Sequence, residues 1–255
     1  MSGSPDSHDL SLVCPAYNEA ENIPELLAEW DAVLRATRRH FEMIVVDDAS
    51  TDNTRHVIEG LGHRFPRLRL LCMVRRSGQS AALSAGFAAA CGGWIITSDA
   101  DLQNDPADLP KLLEQTHEFD MVCGWRKDRK DTWTKRLTSR LANARRRRYL
   151  DDGVHDTGCG LKVFRREIAE RILQFDGMHR FFPALAKIEG FRVTEVPVHH
   201  RARSRGQSKY WIFNRFLKPI QDLRGVAWYR ARHLDAVVQE VSLATHTVTP
   251  LARAS

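Results

Sequence analysis

Trp94-Ile95-Ile96-Thr97-Ser98-Asp99-Ala100-Asp101-Leu102-Gln103-Asn104-Asp105-Pro106 sets two carboxylates one residue apart, directly after an apolar run and ahead of a helix-like segment. A strand that ends in Asp-x-Asp projects hard oxygen ligands at a sheet edge, where a divalent cation can bridge them to a phosphate. Alone the pattern is weak, because loops are rich in Asp. Two acidic strand ends upstream strengthen it: the apolar run 10–14 leads through a Pro15 turn to Glu19, and the run 43–46 ends in Asp47-Asp48.

Around these ends the first half of the chain alternates strand-like and helix-like segments. Strands are expected at 10–14, 43–46, 68–73, 94–96 and 120–123. Helical spacing marks 22–38, 51–61 (capped by Ser50 or Thr51), 80–90 (rich in small residues) and 106–119. This rhythm predicts an α/β fold, a mostly parallel Rossmann-like sheet with helices on both faces. In such sheets ligands bind outside the carboxyl ends of the strands, which gathers the segments at 15–19, 47–48, 99–101 and 124–126 into one cleft. Asp52 fits turn chemistry, and Asp105 reads as the cap of a helix that Pro106 begins.

The second half is less regular. A basic helix is expected over 135–149, strands over 161–164 and 192–198, helices over 167–173 and 181–189, and a polar, basic loop over 199–208. Residues 211–241 read as one long amphipathic helical stretch, interrupted at Pro219 or Gly225. The expected organisation is a flexible N terminus (1–9), one catalytic domain (10–210), the amphipathic extension (211–241) and a disordered tail (242–255).

At 255 residues, with 43% hydrophobic and 27% charged residues, the composition is that of an ordinary globular protein. No run approaches the roughly 18 apolar residues that a spanning helix needs. The polar N terminus lacks a signal-peptide core, so a cytoplasmic location is expected. The 5 cysteines have no Cys-x-x-Cys spacing; four of them lie in or beside apolar runs and read as buried hydrophobes, which excludes a disulfide framework or a zinc site. A net charge of +6 is concentrated in 126–148 and 192–218, as suits an anionic partner or simply a solvated face. Nucleic acid is disfavoured as that partner, because the basic runs lack the interleaved aromatics of a base-stacking surface and Asp47, Asp99 and Asp101 would be left without a role.

Four ordered segments carry a resemblance: 13–22 (Val-Cys-Pro-Ala-Tyr-Asn-Glu-Ala-Glu-Asn), 44–54 (Ile-Val-Val-Asp-Asp-Ala-Ser-Thr-Asp-Asn-Thr), 78–86 (Gly-Gln-Ser-Ala-Ala-Leu-Ser-Ala-Gly) and 99–103 (Asp-Ala-Asp-Leu-Gln). Together they resemble the signatures of family 2 inverting glycosyltransferases, over roughly residues 10–232. The resemblance implies a GT-A type fold and a nucleotide-sugar donor, GDP-mannose or a UDP-hexose. It implies a donor site built from Pro15, Tyr17, Glu19, Asp47, Gln79, Asp99 and Ala100, with Mg2+ or Mn2+ held by Asp99, Asp101 and Gln103.

Within that family the chain is most similar to polyprenyl-phosphate glycosyltransferases of the dolichol-phosphate mannose synthase type. It lacks a Gln-x-x-Arg-Trp motif and a late Glu-Asp pair, and a lipid phosphate, unlike a hydroxyl, arrives ionised and needs no general base. The implied acceptor is undecaprenyl or dolichyl phosphate, positioned by Arg126, Arg136, Ser139 and Arg140. Arg203 and Lys209, in the segment 203–210 that resembles the family's Arg-x-x-Gly-x-Ser-Lys loop, would act with Asp101 and Arg126 in catalysis, and Ser208 would approach the phosphates beside them. The aromatic and basic residues of 211–232 would place the protein at the cytoplasmic membrane surface, directly or through an anchoring partner, with Arg145 to Arg148 as further surface contacts; the same aromatics equally fit a helix packed on its own domain. The rival reading, transfer to a sugar or protein hydroxyl, requires a carboxylate base, for which Asp156 is the late candidate.

Overall fold

The computed structural model describes residues 8–127, 150, 153–202, 217–234, 239–241 and 248–250. The strands are β1 (Leu10–Ala16), β2 (Phe41–Asp47), β3 (Leu68–Cys72), β4 (Trp94–Thr97), β5 (Met121–Trp125), β6 (Lys162–Arg165) and β7 (Val193–Pro197), in the sheet order β3-β2-β1-β4-β6-β5-β7. β1, β2, β3 and β4 run parallel to one another, as do β5 and β7; β6, wedged between β4 and β5, is antiparallel to both.

Period-2 alternation sends successive strand residues to opposite faces, and each face has its own core. On one face Leu10, Leu12, Met43, Val45, Ile96 and Val122 meet α1 (Ile23–Ala36), α2 (Thr54–Leu61) and α4 (Leu109–Glu114). α1 supplies a stripe of Ile23, Leu26, Leu27, Trp30 and Leu34 at helical spacing. On the other face Val13, Ile44, Val46, Ile95 and Phe164 meet α3 (Gln79–Ala89), α5 (Arg166–Arg171), α6 (Phe182–Ile188) and part of α7 (Leu217–Arg232). α3 needs its small residues: a Cβ on Gly86 would lie 2.3 Å from Val13 Cγ1, so the helix rests its backbone directly on β1.

Several local expectations change. Pro15 is no turn, since β1 continues through it to Ala16 and pairs it with Val46. β4 covers only Leu10 to Val13, so the ring sits where one side of the ladder has ended. Ser50 and Thr51 do not cap α2; their hydroxyls accept from Asn18, and Asp52 Oδ1 takes the Thr54 N–H instead. The helix expected over 106–119 is broken into a 3-10 turn, the short α4 and a second 3-10 turn, because Pro110 has no N–H to donate to Pro106. Asp105 does cap this segment, accepting from Ala107 N–H at 3.0 Å.

α7 passes through both Pro219 and Gly225 without interruption and ends at Arg232. Pro219 is tolerated there because it lies in the first turn, where N–H groups have no helical partner. Beyond α7, β8 (Gln239–Val241) pairs antiparallel with β9 (Val248–Pro250), where a helix end and a structureless tail were expected. At the other end His8 and Asp9 are not loose: Gly93 and Trp94 donate to their carbonyls, and Asp9 N–H donates to His40. Of the cysteines, Cys14, Cys123 and Cys159 are buried, whereas Cys72 on the edge strand β3 and Cys91 are exposed. Among the described residues no helix is long and apolar enough to cross a membrane.

Candidate active site

The carboxyl ends of β1, β2 and β4 lie side by side, and the loops leaving them interlock. Asn18 exchanges side-chain bonds with Thr51, Glu19 N–H donates to Thr54 Oγ1 at 2.8 Å, and Asn18 N–H donates to Ser50 Oγ at 2.9 Å. Glu19 itself accepts from Asn22 Nδ2. Asp47 is buried at the end of β2, and its Oδ1 accepts from Ser50 N–H at 3.2 Å. Asp48 does different work: its two oxygens take the N–H groups of Ser77 and Gly78, pinning the loop after β3 that leads into α3. That loop lays the Arg76 guanidinium over the Tyr17 ring, 4.0 Å from its centroid. Pro15, Tyr17, Glu19 and Asp47 therefore share one wall at the β1 and β2 ends.

Asn18, Ala49 and Leu102, one in each loop after β1, β2 and β4, have positive φ angles of 54°, 54° and 61°. Left-handed backbone at residues other than glycine is strained and collects where surrounding structure over-determines it, as at ligand sites. Leu102 follows Asp101 and is itself buried, which turns the chain back so that Gln103 N–H donates to Asp101 Oδ1.

Asp99 sits at the centre. Gln79, the first residue of α3, donates to its Oδ1 at 2.9 Å, and Asn104 Oδ1 accepts its backbone N–H at 3.1 Å. Gly160 packs against it so closely that a Cβ there would lie 2.3 Å from Asp99 Oδ2. Burial, reinforced by the neighbouring Asp101 charge, pushes the Asp99 carboxyl up to about 6, even though Lys162 and Arg126 pull it down. Ala100 is buried between the two carboxylates.

On the β6 and β5 side the groups are cationic. Arg126 grips Asp156 with two parallel bonds, Nε to Oδ2 at 2.7 Å and Nη2 to Oδ1 at 2.9 Å, and only about a tenth of either side chain is exposed (12% and 11%). The pair raises the Arg126 pKa further despite burial. Lys162, first residue of β6 and paired with Thr97, is buried, and its Nζ donates to the Cys159 carbonyl. His179, in the 3-10 turn 178–180, meets Ser80 Oγ through Nδ1 at 2.8 Å. Residues 199–201 run beside the Asp-x-Asp loop: His200 bridges Asn104, Arg201 N–H donates to Gln103, and the Arg201 guanidinium binds Glu29 and Asp105.

Gln79, Asp99, Asp101 and Gln103 are thus gathered into one place, with Arg126 on its far side. Arg136, Ser139, Arg140, Arg203, Ser208 and Lys209, together with Arg145 to Arg148 and the basic helix expected over 135–149, lie outside the described residues. Sequence reasoning placed Asp48 in the cleft without the loop-pinning role it has, and it passed over Arg76, Lys162 and His179, which belong to segments whose spatial neighbours are far away in sequence.

Among the described residues no group of three or more His, Cys, Asp and Glu side chains is arranged to hold a metal ion. The two carboxylates Asp99 and Asp101 nevertheless suit Mg2+ or Mn2+ in the manner of sites that take one or two protein carboxylates and complete the shell with substrate phosphates and water.

Residues 11–173 match the family model described as glycosyl transferase family 2. Among solved structures the chain is similar to glucosyl-3-phosphoglycerate synthase from Mycobacterium tuberculosis. In its complex with Mn2+, UDP and phosphoglyceric acid the identity is 17%, the TM-score 0.64, and the match covers 96% of this chain and 87% of that one. The complex of the same enzyme with Mn2+, UDP-glucose and glycerol 3-phosphate gives 19% identity and a TM-score of 0.62, covering 96% and 88%. A crystal structure of a mycobacterial protein is similar at 17% identity and a TM-score of 0.61, covering 95% and 83%. At these identities the likeness speaks to the fold, the GT-A arrangement expected from the sequence.

Proposed function

The chain belongs to glycosyl transferase family 2, and from that premise we propose that it transfers a hexose, with inversion, from a nucleoside diphosphate sugar to an acceptor bearing a phosphate. The observation that carries this reading is the position of Asp99 just beyond β4, with the β1 and β2 ends and their Tyr17, Glu19 and Asp47 on one side and β6 with Lys162 on the other; we assign the first side to the nucleoside and the second, with Arg126, to an anionic acceptor.

Mg2+ or Mn2+ on the two carboxylates would neutralise charge on the leaving diphosphate. Tyr17, stacked under Arg76, offers a flat surface for the base, and Asp47 an acceptor for a base N–H. Gln79 fixes the rotamer of Asp99 through its hydrogen bond. Arg203 and Lys209 would close over the phosphates.

Two acceptor classes share this chemistry. A small, water-soluble phosphorylated acceptor comes first, supported by the similar structures holding Mn2+, a uridine nucleotide and phosphoglyceric acid or glycerol 3-phosphate. Polyprenyl phosphate is the second, supported by the occupation of both Asp156 oxygens: a carboxylate locked on Arg126 is a poor base for a hydroxyl, whereas a lipid phosphate needs none. On that second reading the protein works peripherally at a membrane surface, with Arg136, Ser139 and Arg140 helping to bind the acceptor phosphate.

Incubation with radiolabelled UDP-glucose or GDP-mannose, Mn2+, and either phosphoglyceric acid or undecaprenyl phosphate tests the proposal. Label moving to the phosphoglycerate fraction supports the first class and label in the lipid extract the second. No metal-dependent consumption of either donor, with either acceptor, would overturn the reading.

A further inference from the structure

Lys162 is 95% buried by its 5% exposure, and the one acceptor its Nζ meets among the described residues is the Cys159 carbonyl. No carboxylate of the described residues stands within ion-pair distance of it. An ammonium out of water with a single neutral acceptor is costly, and such cations persist where something compensates them. The position is informative. Lys162 pairs with Thr97 at the end of β4, two residues before Asp99, and lies one strand over on the side away from Asp47 and Glu19. Its charge reaches both Asp99 and His179.

His179 is held in one protonation state by its neighbours. Ser80 Oγ accepts from Gly177 N–H at 3.0 Å and meets His179 Nδ1 at 2.8 Å; when the Ser80 hydroxyl is the donor in that second contact, the imidazole carries its proton on Nε2. Burial, with the charges of Arg180 and Lys162, holds the ring neutral by pushing it down to about 3. A buried cation and a neutral imidazole thus stand on the α3 and β6 side of Asp99, Lys162 through the β4 register and His179 through Ser80, the chain neighbour of the Gln79 that bonds Asp99. The nearby Arg126 spends Nε and one Nη2 hydrogen on Asp156, so Lys162 is the cation of this side without a carboxylate partner among the described residues.

We propose that Lys162, assisted by His179 Nε2–H, is the anion-binding site for the acceptor's phosphate, a monoester presented on the β6 side of the Asp-x-Asp carboxylates. This rests on the glycosyl-transfer reading above and adds to it a residue that contacts the acceptor. A phosphate dianion there would compensate the buried ammonium and accept the imidazole hydrogen, leaving the nucleoside wall to the donor.

The test is calorimetric titration of inorganic phosphate into the full chain held with Mg2+ and UDP, using the wild type, Lys162→Met and Lys162→Arg. The expected result is phosphate binding by the wild type, weakened about tenfold or more in Lys162→Met and partly restored in Lys162→Arg. UDP affinity should stay unchanged. The Tm of ligand-free Lys162→Met should hold or rise, because an apolar side chain replaces an uncompensated buried charge. Equal phosphate affinity in wild type and Lys162→Met would overturn the inference, as would a lowered Tm with no selective loss of phosphate binding. Failure of the wild type to bind UDP with Mg2+ would instead overturn the glycosyl-transfer reading itself. In transfer assays, Lys162→Met should raise the KM for phosphoglyceric acid if the acceptor is soluble, and that for undecaprenyl phosphate if it is lipid-borne.

Discussion

Asp99 carries the most consequential electrostatics at the residue scale. Its carboxyl is pushed up to about 6, first by burial and then by Asp101, against an ordinary value near 4. A raised carboxyl favours the protonated folded state, so its contribution to stability is full below pH 4, declines as pH rises towards 6, and is lost above that. A divalent cation reverses the preference because it competes with the proton for the same oxygens. Mn2+ is therefore expected to raise Tm at pH 7.5 and to do so progressively less below pH 6, as a thermal-shift series would record; an Mn2+ effect as large at pH 5 as at pH 7.5 would contradict this. Asp156 is a second residue with a decided role. Replacing it by Asn breaks a bidentate pair that is almost wholly buried and strands the Arg126 charge, at a cost of roughly 3 kcal/mol or more. Asp156→Asn should show that loss in denaturant unfolding; a variant of unchanged stability that has lost transfer activity would mark Asp156 as the base after all. The Asp-x-Asp pair was legible in the sequence because its meaning is local, two residues after one strand. The Arg126–Asp156 bond joins positions 30 residues apart and has no local signature.

Elements position the site through backbone contact as much as through side chains. The chain around Gly160 returns across the end of β4, Thr97 Oγ1 donates to the Gly160 carbonyl at 2.7 Å, and Asp99 fills the space where a Cβ would be. Gly160→Ala would need Asp99 Oδ2 and Cγ, 2.3 and 2.6 Å from the added carbon, to move. Asp99 cannot swing freely, because Gln79 holds its Oδ1 and Asn104 anchors its backbone N–H. The expected outcome is a metal-dependent activity at least about tenfold lower, with a stability loss of roughly 1–3 kcal/mol from overpacking. Measured Mn2+ affinity should fall with it, and unchanged affinity would mean the loop yields elsewhere. Periodicity revealed β1 to β5 and the helices between them, since each buries one regular face. It did not reveal that β6 returns antiparallel between β4 and β5, because an apolar run has no direction until its partners are known. That insertion is what carries Lys162 and Gly160 to Asp99.

For the whole molecule, the open question of the sequence was whether the aromatic, basic C-terminal helix belongs to the domain or to a membrane. α7 answers with two faces. Val226 is buried in the same core as Phe164 and Leu185, Tyr229 donates to Glu189 Oε1 at 2.7 Å, and burial with that carboxylate pushes its hydroxyl up to about 12. The opposite face exposes Trp228 (64%) beside Arg224 and Arg232. The packed face ties α7 to the domain's own stability, which sequence spacing alone left open because an amphipathic pattern looks the same against a core or a headgroup layer. Val226→Glu should therefore destabilise the protein by roughly 2–5 kcal/mol, seen as a lower urea midpoint. Trp228→Ala touches no core and should leave stability within about 0.5 kcal/mol. Its effect separates the two acceptor classes. If the acceptor is lipid-borne, Trp228→Ala should reduce co-sedimentation with anionic vesicles and transfer to undecaprenyl phosphate together, since an interfacial tryptophan adds apolar contact and the flanking arginines add attraction to anionic lipid. If the acceptor is a soluble phosphate ester, the variant should match the wild type in transfer, and the outward face of α7 is then a solvated surface that happens to carry one aromatic ring.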